Sequence, residues 1–160
     1  MAAALLWGTA ANAADFHATK EMHDFAATVV PATAAAKIRG GENSEKALTL
    51  GRIKDGALGV TSMQIIGSGS TASLTVVAGT VAVIIVHHPG QCDAPSGDDD
   101  AAAQQQVATI VASSDGTKLW EIGREGGVIS IRAMTGSDTF GPWEPYERDG
   151  SKYTSYACSS

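Results

Sequence analysis

The chain has only two cysteines among 160 residues, no run of lysine and arginine, and no apolar stretch long enough to cross a bilayer as a helix. Cys92 and Cys158 stand far apart and match no CxxC zinc or redox pattern. A disulfide between them requires an oxidising compartment. Basic residues number 11 against 17 acidic ones, for a formal net charge of -6. Nucleic-acid affinity is built largely from cations that neutralise phosphates, so this balance argues against a nucleic-acid partner. The longest apolar runs, such as 75–86, are broken by Gly79 and fall short of the ~20 residues a spanning helix needs, so no membrane span is expected.

What is present fits one domain, since 160 residues is near the common domain size and suffices for a sizeable core. The opening MAAALLWGTAANAA holds a short apolar segment and a small-x-small pattern, Ala11-Asn12-Ala13, but no Lys or Arg before it. An export signal and an Ala-rich helix both account for these residues. The first reading places the protein in the periplasm or outside the cell, the second in the cytoplasm. The chain thus divides into a signal-like segment at 1–14, a domain at 15–134 and an irregular C-terminal tail at 135–160.

Within the domain, 14–38 is Ala-rich and predicts a helix to about Val30, then a second short helix from Pro31, which a first turn tolerates. Val, Ile, Leu and Thr dominate 45–53, 57–66, 72–77 and 80–87, separated by Asp55-Gly56, Gly67-Ser68-Gly69 and Gly79, and these predict four strands. The last is apolar on both faces and reads as central. A short helix is expected over 98–106, where Ala and Gln follow an acidic first turn. Three more strands follow at 107–112, 118–122 and 128–133, with a tight hairpin at Asp115-Gly116.

One constellation carries chemistry. Val86-His87-His88-Pro89 ends the central strand, and Ser96 and Asp99 follow at the expected helix start. Imidazoles and carboxylates are zinc ligands, and a strand presents alternate residues to one face. If His88 faces the site, Val86 shares its face and His87 points to the other side of the sheet. A bulge would bring both rings round. Ser96-x-x-Asp99 is also a capping-box spacing, and the distance of both residues from His88-Pro89 is what favours the site. His17 and His23, six apart on the first helix, read as surface residues, and Asp98-Asp99-Asp100 as a solvated helix start with Asp99 singled out by spacing. Trp120, Trp143 and Tyr146 read as packing residues.

His88-Pro89, six residues, then Ser96 and Asp99 resembles the second half of the JAMM signature of MPN-type metalloproteases, H-x-H-P, six residues, S-x-x-D. Upstream, Asn43-Ser44-Glu45, a strand and the Lys54-Asp55-Gly56 turn resemble the opening of the short bacterial members at the ends of Rhs-type polymorphic toxins. The likeness covers about 25–122. It implies a JAMM/cytidine-deaminase-like α/β fold, a single domain with a curved mixed β-sheet flanked by helices. It further implies a zinc-dependent hydrolase of peptide or isopeptide bonds acting on a protein or peptide. In that reading Glu45 activates water, with Glu42 a nearby competitor, Ser96 steadies the oxyanion, and His88 and Asp99 hold the metal.

Val86 stands where the family has its first histidine. In the regular-strand register, which is favoured, zinc has only His88 and Asp99 and is weakly held. In the bulged register His87 joins them as a third ligand. The rival reading is a metal-free, catalytically inactive binding or scaffold module of the same fold. A secreted effector or toxin-associated role is compatible with either.

Overall fold

The computed structural model describes residues 14–40, 45–66, 74–88, 94–136 and 138–149. Residues 1–13 of the signal-like segment 1–14 lie outside them, as do Glu42, Pro89 and both cysteines.

The chain's first described contact is with a strand. Phe16 exchanges backbone hydrogen bonds of 3.1 and 2.9 Å with Arg124, and the Asp15 carboxylate accepts the Gly126 and Gly127 N–H groups at 2.8 and 2.9 Å. That bridge keeps 14–18 extended, so helix α1 (Lys20–Gly40) begins later than the alanines alone predict. Thr19 starts it by accepting the Met22 N–H on its hydroxyl at 3.3 Å. Ala18, Met22, Ala26 and Val30 recur every four residues and form its buried stripe. The expected break at Pro31 does not occur: the helix runs through it. Pro31 is exposed, and its cost of about 3 kcal/mol is offset by burial of that stripe.

The strands are β1 (Glu45–Arg52), β2 (Leu58–Ile66), β3 (Ala82–Val86), β4 (Ala108–Ala112), β5 (Leu119–Glu125), β6 (Val128–Gly136), β7 (Thr139–Phe140) and β8 (Glu144–Pro145). They form one mixed sheet in the order β2-β1-β3-β4-β5-β6-β7, with β8 also on β6. Among the described residues only β3 and β4 pair in parallel. This is a mixed α/β domain, mostly strand. The sheet has two covered faces. Leu48, Leu50, Ala82, Ile84, Val86, Ile110 and Ala112 pack under α1, while Ala47, Val83, Ile85, Val111, Trp120 and Ile122 pack on the opposite side with Ala94, Ala102 and Ala103.

Three further sequence expectations are corrected. Of the strand expected over 72–77, residues 74–77 form none and 72–73 lie outside the described residues. The Gln64 side chain instead binds both backbone groups of Thr75, at 2.8 and 3.1 Å, where a ladder partner would sit. The helix expected over 98–106 is two 3-10 turns, Gly97–Asp100 and Ala103–Gln105, closed by Gln106 at φ 66°. Here the acidic side chains bond to other elements, and these contacts rather than helix propensity set the backbone. The C-terminal stretch is also not simply irregular, because β7 and β8 tie it to β6.

Gly123 lies directly under the Phe16 backbone, and a β-carbon there would collide with the Phe16 carbonyl oxygen. Gly123→Ala is expected to lower stability by about 1–3 kcal/mol by displacing the 14–18 segment. Urea unfolding checks this, and an unchanged midpoint would rule out a tight approach.

Candidate metal centre

Antiparallel pairing of β1 with β3 sets Lys46 opposite Val86 and Ala47 opposite Ile85, so Glu45 and His87 come next to each other just beyond the paired residues. The backbone stays regular, with the His87 N–H donating to the Ala112 carbonyl at 3.0 Å. Alternation therefore sends His87 to the side of Val83 and Ile85, the side that carries the 3-10 turns, and Val86 to the side of α1. On that side His87 Nε2 lies 3.1 Å from Asp99 Oδ2, and both side chains are buried. Asp99 Oδ2 also accepts the Ser96 N–H at 3.0 Å, so the Ser96-to-Asp99 spacing works as a helix-start cap and orients the carboxylate as well.

Glu45 completes the cluster. One ligand-type atom each from Glu45, His87 and Asp99 lies within 4.8 Å of the others. Two atoms bound to one tetrahedral zinc at ~2.0–2.1 Å are about 3.3 Å apart, close to the observed His87–Asp99 separation. One imidazole and two carboxylates suit a borderline or hard divalent ion, and the two negative charges match its +2. The trio could hold a metal ion.

The sequence-derived residues are thus only partly assembled as expected. Glu45 lies beside Asp99, and Ser96 is hydrogen-bonded to Asp99 through its N–H. His87, expected to point away in a regular strand, is the imidazole at the cluster, and His88 is half-buried outside the trio. No bulge is needed, because the odd-numbered face of β3 is the one covered by the Asp99 segment.

A second cluster went unread in the sequence. His23 is not a surface residue: it is 4% exposed, and its Nε2 lies 3.0 Å from Glu121 Oε1. Glu121 is wholly buried on β5 opposite Arg132 of β6, whose Nε and Nη2 donate to the same oxygen at 3.1 and 2.9 Å. Its Oε2 accepts the Ala18 N–H at 2.6 Å, just ahead of α1. Burial alone would raise the Glu121 pKa. The His23 and Ala18 hydrogen bonds and the Arg132 charge outweigh it, and the carboxyl is held below its ordinary value. The guanidinium of Arg132 stacks over Phe140 at 3.9 Å and Trp143 at 4.4 Å. The one signal in the sequence was a glutamate between Trp120 and Ile122 in an apolar strand.

Comparison with protein-family models, with curated proteins and with solved structures found no match. Fold and site together define a mixed α/β domain with a candidate divalent-metal centre.

Proposed function

We propose that this chain is a zinc-dependent hydrolase domain for amide bonds of protein or peptide substrates, with the ion held weakly by His87 and Asp99 and with Glu45 as the proton acceptor. The observation that carries the reading is the convergence of Glu45, His87 and Asp99 within 4.8 Å. The resemblance of 88–99 to the JAMM signature supports the choice of amide hydrolysis. A bound zinc would supply Lewis acidity, polarising a carbonyl and lowering the pKa of water.

The roles follow from burial. His87 and Asp99 are closed off from solvent and suited to holding an ion, whereas Glu45 is the half-exposed member of the three and the one open to water. Its carboxylate would take a proton there and return it to the leaving amine. Ser96, half-buried beside Asp99, is the oxyanion-facing residue that the resemblance implies. With two protein ligands the ion is expected to be weakly held.

A second reading, a metal-free scaffold, is favoured by one observation: His87 and Asp99 already satisfy each other, and Ser96 caps the same carboxylate. Zinc titration of wild type and Glu45→Gln, together with hydrolysis of a quenched peptide library, separates these readings. Glu45→Gln is expected to keep zinc and to lose hydrolysis by ~100-fold or more, the scale of a general base. Loss of zinc in Glu45→Gln makes Glu45 a ligand instead. A wild type that binds no zinc leaves the scaffold.

A further inference from the structure

Residues 139–149 cross the edge of β6 and reach the segment that bears Asp99. β8 pairs with β6 through Ser130 with Pro145 and Ile131 with Glu144, and the Tyr146 N–H continues that pairing to the Ile129 carbonyl at 3.0 Å. From there the chain binds both backbone polar groups of Gly97, and so the peptide units on either side of it. The Tyr146 hydroxyl donates to the Gly97 carbonyl at 3.1 Å, and the Gly97 N–H donates to the Arg148 carbonyl at 2.6 Å. The Arg148 guanidinium then spans the neighbours of Asp99, with Nη1 3.0 Å from Asp98 Oδ1 and Nη2 3.2 Å from Asp100 Oδ1.

The consequence is a sorting of three consecutive carboxylates. Asp98 and Asp100 turn to Arg148, while Asp99 turns the other way to His87 and the Ser96 N–H. Asp100 is only 2% exposed despite its charge, so its placement depends on Arg148 and on Gln104, whose Nε2 donates to it at 3.0 Å. Gly97, at φ +60° between Ser96 and Asp98, holds a left-handed conformation that glycine enters and leaves at little cost, so contacts outside the turn are needed to hold it. Tyr146 and Arg148 fix it.

We infer that Tyr146 and Arg148 are positioning residues for the metal centre: by holding Gly97 and the two flanking aspartates they aim Asp99 at the ion and set its affinity. This rests on the reading of His87 and Asp99 as ligands. Residues that orient a ligand without touching the metal typically change affinity by ~10–100-fold when removed.

The test is titration of full-length wild type, Tyr146→Phe, Arg148→Gln and Arg148→Lys with Co2+ and Zn2+, following the visible cobalt spectrum and the dissociation constant, with a thermal melt of each apoprotein. Tyr146→Phe removes one hydroxyl and is the variant least able to disturb folding. The expected result is ~10-fold weaker binding in Tyr146→Phe and Arg148→Gln, with an altered cobalt spectrum, one ion per chain retained, and partial recovery in Arg148→Lys. Unchanged affinity and spectrum in Tyr146→Phe and Arg148→Gln, with wild type binding metal, would overturn this inference alone. A wild type that binds neither ion would overturn the metal centre itself and this inference with it.

Discussion

Glu121→Gln is expected to cost about 3–5 kcal/mol, the scale of breaking a buried charge pair from one side. The carboxylate serves three elements at once: the chain just ahead of α1 through Ala18, the helix through His23, and β6 through Arg132. An amide can accept on its oxygen but carries no charge, so Arg132 would keep a mostly buried cation without its counter-ion. For a chain of this size the loss corresponds to a melting temperature lower by roughly 6–20 °C. The pH dependence has a definite sign. The folded-state pKa of Glu121 lies below the ordinary value of 4.5, so its contribution is complete above that value and is lost as the pH falls through the folded pKa. The gap in stability between wild type and Glu121→Gln should therefore narrow in acid. Urea titrations between neutral pH and pH 3 measure it, and a gap under about 1 kcal/mol at neutral pH would show that the cluster is not the anchor described.

Replacing His87 by alanine is expected to weaken zinc binding by more than ~100-fold, beyond what loss of an orienting residue produces, whereas His88→Ala should leave affinity within a few-fold of wild type. The contrast is sharp because the two residues are adjacent. His87 Nε2 is 3.1 Å from Asp99, and His88 is outside the cluster. Isothermal titration of both variants, with folding confirmed by circular dichroism, decides it. Equal loss in both would show that the strand end bulges to present two rings, and loss in His88→Ala alone would restore the register in which His88 is the ligand.

These two cases show what the sequence could and could not reveal. Strands β1 to β6 follow from Val, Ile, Leu and Thr runs cut by Gly and Asp-Gly, and the β4–β5 hairpin falls where Asp115-Gly116 places it. Asp115 stabilises that turn by accepting from Ser113 and Thr117, which lowers its pKa to about 2. The ingredients of the site were equally legible, because Ser96 and Asp99 are marked by spacing. The face was not. Residues 81–86 are apolar on both sides, so nothing in their alternation says which parity meets the Asp99 segment, and that ambiguity exchanged His87 for His88. The His23–Glu121 contact joins residues 98 positions apart and has no local pattern at all. Pro31 and 98–106 failed for a different reason: tertiary contacts overrode local propensity.

The two ends of the sheet face different fates in a crowded solution. The outer edge of β6 is taken up by β7 and β8, and Phe16 pairs with Arg124 of β5 just beyond the start of β4. At the other end, β2 is the last strand among the described residues, nine residues long, with Val60 and Met63 exposed. A long edge with apolar side chains is a template for adding another strand. Self-association of this domain, where it occurs, should therefore start at β2, and a lysine at Val60 would act as a gatekeeper there without touching either buried carboxylate cluster.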